Sequence, residues 1–395
     1  MALVKKYVIL KPGREKSPKN FHHWIFSGAV ASSSDFEDGE ILPVVSSQGE
    51  LLGHAYFNRA SGICGRFVSF GKSDPLETIQ NHLEKAFALR KKIFENEDTT
   101  AYRLVNSEGD FLPGLIVDVY GDIAVLQITT LGMEKLKPMI VEFLKNIPGI
   151  TAIYEKSDSS ARREEEMLPF VSWLYGKERE EVIVKERGIS FSIHFPTAQK
   201  TGLFLDQREM RTLVQKYAKG RTVLNCFSYT GGFNLFALQG GAKKADAVEI
   251  VGAHRQSFEK NIEINGYKKT QATFFEEDVF EFLRSEKVHG YDFIILDPPA
   301  FAKKRDDTTR ACRGYKDMNR LAMKNLPENG FLLTSSCSHF VDRKLFQQVV
   351  FEAAVEANRE VQIFSEHILA PDHPLNVYHP EGEYLKSFLL HVRDS

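Results

Sequence analysis

Residues 222–250 read TVLNCFSYTGGFNLFALQGGAKKADAVEI. Val223 and Leu224 predict a buried strand, Gly231 and Gly232 a turn, Phe233 to Leu238 a short helix, and the stretch ending at Glu249 a second strand. Strand, glycine turn, helix and strand make one βαβ unit. The glycines let a ligand approach the backbone, and the start of the helix offers free N–H groups. An acid at the end of the second strand is placed to grip a ribose diol. A nucleoside cofactor follows from this stretch, and the chain around it decides which one.

Downstream, strand and helix keep alternating. ADAVEIV, ATFFEED, YDFIILD and GFLLTSS read as strands, and HRQSFEKNIEINGY, VFEFLRSE and KDMNRLAMKNL as helices. Continuous apolar runs such as FIIL and FLL suit a parallel sheet covered on both faces. DRKLFQQVVFEAAVEA adds a helix, and VQIFSEHI and YLKSFLLHVR two more strands. The expected fold class is α/β, with a doubly wound, Rossmann-like C-terminal domain over 189–395.

Upstream, residues 1–73 are β-leaning, with short strands in VKKYVILKPG, GHAYFN and GICGRFVSFG between Gly-, Ser-, Pro- and Asn-rich loops, as in a small barrel. Within the first twenty residues, Lys5, Lys6, Lys11, Arg14, Lys16 and Lys19 face only Glu15. They read either as a solvated edge or as contacts to a phosphate backbone. Asp74 and Pro75 open a helix that runs to Phe94. The rest of 74–188 reads as a central α+β module of strands, a helix over MEKLKPMIVEFLKNI, the polar run SARREEEM, and a hairpin turning at Arg187-Gly188.

A chain of 395 residues suits two or three domains. A net charge of −2 makes no global case for a polyanion partner, so any such contact must be local. The four cysteines are far apart and form no CxxC pair, which predicts neither a metal site nor a disulfide framework. No signal peptide or long apolar run is visible; the expectation is a soluble, cytoplasmic protein without a membrane partner.

In a doubly wound sheet, ligands bind beyond the carboxyl ends of the strands. Asn225 to Gly232, Glu249, Asp278, Asp297-Pro298-Pro299 and Cys337 fall there in succession. Each also has a plainer reading. Asp278 with Glu281 matches a helix-capping box, Glu249 an exposed strand end, Gly231-Gly232 a tight turn and Cys337 a small core residue. An acid closing FIIL at a sheet centre is costly unless used. No Gly-x-Gly-x-x-Gly is present, so there is no bed for a pyrophosphate. That favours S-adenosylmethionine, whose adenosine wants a ribose carboxylate and whose sulfonium and amino groups want acidic neighbours.

LNCFSYTGGFN, the acid at Glu249, EEDVFEFL, DPPAF, ACRGYKDMNRLAM and LLTSSCSH follow the motif order of class I methyltransferases. With KTGLFLDQR, APDHP and YHPEGEYLKSF, the chain resembles the bacterial 23S ribosomal RNA cytosine-5 methyltransferases that carry an N-terminal PUA domain. The resemblance spans nearly the whole chain and is strongest from Lys200 onward. It implies a PUA-like RNA-binding domain over 1–73, S-adenosylmethionine as cofactor, and 23S rRNA or a large-subunit assembly intermediate as partner; a homodimer is allowed. By the same resemblance Asn225, Phe227, Ser228, Tyr229 and Gly231 line the methionine end of the cofactor. Glu249 takes the ribose and Asp278 the adenine amine, and Asp206 and Arg208 add cofactor contacts. Asp297, at the cofactor's edge, meets the cytosine near N3 and N4, and Cys337 is the nucleophile.

Carbon 5 of cytosine is a poor nucleophile until a thiolate adds at carbon 6, and a thiol both attacks and leaves well. The base must be unstacked, so Phe301, Tyr315 or Phe227 is placed to stack on it beside Pro298. Where many RNA cytosine-5 methyltransferases have a second cysteine after the two prolines, this chain has Ala300. The base that removes the carbon-5 proton is therefore unassigned. Cys312 is a rival nucleophile, but its neighbours Arg310, Arg313 and Lys316 suggest an RNA-contacting loop. The competing readings are methylation of a nitrogen, since Asp-Pro-Pro with a nearby aromatic suits amines, and a non-catalytic RNA-binding assembly factor.

Overall fold

The structure is a computed structural model and describes residues 6–302 and 304–395. Lys5, one of the expected basic cluster, lies outside the described residues. The chain forms two compact units. The first holds the chain up to Gly188 with 198–205 and 371–382, the second 189–197, 206–370 and 383–395.

The second unit is built on β1 (Thr222–Cys226), β2 (Lys244–Val248), β3 (Phe274–Phe275), β4 (Phe293–Leu296), β5 (Gly330–Ser336), β6 (Arg359–Glu366) and β7 (Lys386–Asp394). Their order in the sheet is β3-β2-β1-β4-β5-β7-β6. β1 to β5 are parallel, and β7 inserts antiparallel between β5 and β6. The order reverses at β1 and β4, so the loops after these strands diverge and leave a crevice. Every residue of β4 and β5 is buried, which is why FIIL and FLL are apolar, while Thr334, Ser335 and Ser336 are buried polar residues at the end of β5. The same unit holds the helices α1 (Arg208–Tyr217), α2 (Gly232–Gln239), α3 (His254–Ile264), α4 (Val279–Arg284), α5 (Thr308–Asn325) and α6 (Arg343–Ala357), together with the strand Ile189–His194 outside this sheet. Leu224, Ile294, Leu296 and Leu332 from the sheet share a core with Met318, Ala322 and Met323 of α5 and Phe346 of α6.

The first unit has two sheets. One orders the strands Trp24–Ile25, Gly65–Phe70, Leu51–Phe57, Ile41–Val45, Val8–Leu10 and Val30–Ser33. Three of these are expected from the sequence; Trp24–Ile25 is too short and Val30–Ser33 too polar to show a period, and Ile41–Val45 is interrupted by Pro43. Lys6 pairs with Glu40 at 2.9 Å and Lys19 with Glu50 at 2.5 Å, so two of the basic residues have local acidic partners. The helix Pro75–Phe94 starts as expected, with Asp74 accepting from the N–H groups of Leu76 and Glu77. The second sheet orders Phe170–Tyr175, Ala152–Ser157, Ile123–Ile128, Leu115–Tyr120 and Ala101–Asn106. Its edge strand Phe170–Tyr175 is absent from the sequence reading because most of it is exposed. The polar run 160–167 forms a short helix, Ala161–Glu164. Arg162 and Glu165 are buried there because Glu134 and Arg66 pair with them.

Candidate active site

The turn after β1 is held in an unusual backbone shape. Phe227, Tyr229 and Gly231 all have positive φ, at 59°, 51° and 86°. For Phe and Tyr this conformation costs on the order of 1 kcal/mol each and persists only under restraint. Glu249 supplies part of that restraint: its Oε2 accepts from Tyr229 N at 3.0 Å and its Oε1 from Val251 N at 2.9 Å. Asn261 of α3 adds more, donating to Thr230 O at 2.9 Å while accepting from Ser192 N. A Cβ on Gly231 would sit 2.5 Å from the Phe258 ring, so glycine is required by both φ and space. Asn225 lies inside β1, where its amide donates to Asn234 Oδ1 at 2.7 Å and ties the strand to α2.

Asp278 is exposed and caps α4 through Oδ1, which accepts from Phe280 and Glu281 N–H groups. Glu281 turns instead to Arg284, so the reciprocal half of a capping box is not made. Asp297 is half-buried and accepts from Gln207 Nε2 at 3.0 Å. Gln207, Asp206 and Arg208 open α1; Arg208 is fully buried, and Asp206 accepts a short hydrogen bond from the Tyr384 hydroxyl.

Cys337 follows β5, and its Sγ donates to Pro298 O at 3.7 Å, seating the thiol on the loop that begins at Asp297. Ser338 locks the two loops together, with Oγ accepting from Ala302 N at 3.1 Å and bonding the Tyr315 hydroxyl at 2.9 Å. Lys386, at the start of β7, is absent from the sequence reading. It is 5% exposed, and its Nζ donates to Ser338 O and Tyr384 O, both at 2.7 Å. Burial pushes its ammonium down to about 8, and negative charge at Cys337 is the first influence opposing that. Burial pushes the other three thiols up, Cys64 to about 11.

Two substrate-side expectations change. Tyr315 is fully buried, so it backs the Phe301 ring at 4.6 Å rather than offering a face to a base. Arg310, Arg313 and Lys316 lie on α5, not on a loop, because the helix starts at Thr308 and tolerates Gly314 where it meets Phe301. Arg310 pairs with Asp307 and Lys316 with Glu356, while Arg313 is exposed. In the first unit, His22, His379 and Glu381 bring three ligand atoms within 4.8 Å of one another. His22 Nδ1 accepts from Trp24 N, so the hydrogen is on Nε2, which donates to Glu381. The three side chains are thus linked as a cluster, by that hydrogen bond and by the ring contact between His22 and His379.

The strand-end residues fit a cationic nucleoside. Ser228 Oγ, Asn225 Oδ1 and Gln207 Oε1 are buried with no hydrogen-bond partner among the described residues, and such atoms are costly unless a ligand meets them. Glu249 and Asp278 add charge that attracts an ammonium or sulfonium. Among the described residues no helix is long and apolar enough to cross a membrane.

Residues 161–365 match the S-adenosylmethionine-dependent methyltransferase family, and residues 8–70 match the PUA-like domain. A protein of Aliivibrio fischeri named ribosomal RNA large subunit methyltransferase I is 40% identical over 98% of this chain and 99% of its own. Its namesake from Vibrio cholerae is 38% identical over 98% and 99%. A solved structure described as a SAM-dependent methyltransferase from Streptococcus mutans has a TM-score of 0.83 at 26% identity, covering 98% of this chain and 99% of that one. A methyltransferase solved in complex with SAH gives a TM-score of 0.85 at 26% identity over the same shares.

Proposed function

This chain belongs to the ribosomal RNA large subunit methyltransferase I family, S-adenosylmethionine-dependent enzymes, and from that premise we propose that it methylates carbon 5 of a cytosine in 23S rRNA through a covalent Cys337 adduct. One observation carries the finer reading: the Cys337 thiol is seated on Pro298 O, beside Asp297. A nucleophile and an acid on adjacent strand ends are what addition across the cytosine 5,6 bond needs. Bound S-adenosylmethionine supplies a methyl group on a sulfonium.

Asn225, Phe227, Ser228, Tyr229 and Gly231 receive the methionine end. Glu249 would hold the ribose, and Asp278 the adenine amine. Asp206 and Arg208 support the cofactor side through the start of α1. Cys337 attacks carbon 6 as a thiolate, and the electron pair moves to carbon 5, which would take the methyl while the S–CH3 bonding pair stays on the cofactor sulfur as a thioether. Asp297 would accept from the 4-amino group and, carrying a proton, would donate it to N3, neutralising the negative charge that builds there. Loss of the carbon-5 proton to a base then returns the electron pair and expels the Cys337 thiolate. Phe301 and Phe227 pack the flipped base above Pro298, and Arg310 and Arg313 reach RNA phosphates from α5, with Lys316 behind them. The PUA-like domain and the basic N-terminal residues bind the RNA or a large-subunit assembly intermediate.

Purified protein, labelled cofactor and 23S rRNA transcript test this. The expected product is 5-methylcytosine by nucleoside mass spectrometry, with Cys337→Ala slower by about 10⁴-fold or more and cofactor binding retained. A methylated nitrogen as product, or full activity in Cys337→Ala, sinks the covalent scheme.

A further inference from the structure

Lys386 stands opposite Ser336 in the β5–β7 ladder, and its ammonium reaches past the strand end to the carbonyl of Ser338. Its contacts thus straddle Cys337. The two carbonyls at 2.7 Å engage two of the three N–H groups of the ammonium, which leaves one donor for a third partner. Ordinarily a lysine buried at the start of a strand is expensive, since burying its charge must be offset by a partner. Neutral carbonyls offset part of that cost; a neighbouring anion offsets more.

We propose that Lys386 is the positioning residue that holds Cys337 as a thiolate, its ammonium balancing the charge left when the thiol proton passes to solvent. Ionisation ends the Sγ–H donation to Pro298 O, freeing the sulfur to turn toward a substrate carbon. The other ionisable groups around the ammonium are Glu383 and Asp342, both favouring its charged form, and the Tyr315 hydroxyl on Ser338. Asp342 is committed to capping α6 through Leu345 N, and Glu366 on the β6 side is tied to Arg343. Lys386 therefore stays cationic at neutral pH, where thiolate is wanted. Only the use made of that thiolate rests on the proposed function.

The test is residue-resolved alkylation of the full-length protein with iodoacetamide, followed by mass spectrometry from about pH 6 to 10, which spans thiol and amine titration. In the unaltered chain, Cys337 is expected to reach half-maximal rate at a lower pH than Cys312, whose thiol burial pushes up. Lys386→Met should raise the Cys337 midpoint by about one unit and slow its alkylation at pH 7 about tenfold. Lys386→Arg, which keeps a cation, should hold the midpoint low. A Cys337 midpoint at or above that of Cys312 overturns the proposal without any variant. So does an unchanged midpoint in a folded Lys386→Met protein. Methyl transfer is not read in this assay, so its failure is distinct from full activity in Cys337→Ala, which would defeat only the covalent scheme.

Discussion

In the first unit, Asp110, Asp118 and Glu165 are buried against Arg90, Arg103 and Arg66, with N–O distances of 2.5, 2.8 and 2.6 Å. In the second, Glu249 and Asp278 are held by main-chain N–H groups and, among the described residues, by no lysine or arginine. A carboxylate paired with arginine, two-pronged at Asp110 and Asp118 and through one oxygen at Glu165, has its charge balanced by that partner. One gripped by amide dipoles is positioned but keeps its full charge. Similar residues thus serve the first unit as ion-paired internal ties, while in the second they carry their charge against main-chain N–H groups alone. The difference lies in the partner, not in the acid.

Asp118→Ala puts the largest strain on this contrast, because it leaves Arg103 without its bidentate partner and Thr201 without its acceptor. A loss of about 3–5 kcal/mol in chemical denaturation is expected, with affinity for S-adenosylmethionine unchanged. Undiminished stability would break the comparison on its structural side. Asp297→Asn probes the other side: Gln207 can still donate to the amide oxygen, so folding should persist while methyl transfer falls about 10²–10³-fold. Comparable losses of stability and rate would make Asp297 one more internal tie.

His23 sharpens the contrast through pH. It is 1% exposed, and burial pushes its pKa down to about 4 although Phe67 O accepts from its Nδ1. The unfolded chain then binds a proton near pH 6.5 that the folded chain refuses. Stability is full above 6.5 and falls between 6.5 and 4, by about 3 kcal/mol at the lower end. Urea midpoints at the two ends of that window should move together much more closely in His23→Phe. The smallest effect is expected of Glu249→Gln: about tenfold weaker cofactor binding by calorimetry, roughly 1.4 kcal/mol, with little change in melting temperature. No change in affinity would leave Glu249 as a loop tie alone.

Much of the site could be read in the chain because a parallel sheet writes its strand ends plainly. FIIL before Asp297 and FLL before Cys337 are apolar runs broken by a polar or reactive residue, and burial on both faces dictates that pattern. Gly231 was legible for the same local reason, a positive φ at a helix start. The α5 residues around Cys312 misled because Gly314 and a run of charges imitate a loop, whereas packing on Phe301 keeps them helical. Arg162 and Glu165 sit in a polar run that suggests solvent, and only their distant partners account for their burial.

Sequence alone determined the alternation of strand and helix, the glycine turn, and which residues stand at strand ends, because these follow from periods of two and 3.6 residues within short windows. Tertiary structure decided what those residues meet. Pro298 O receives the Cys337 thiol across 39 residues, Asp297 receives Gln207 across 90, and Lys386 reaches Ser338 across 48. Residues 371–382 return to the first unit, where Asp372 O accepts from Arg90. No local pattern encodes such pairings. They arise when the sheet places strands distant in sequence side by side, and the cost of a buried polar group then selects its partner.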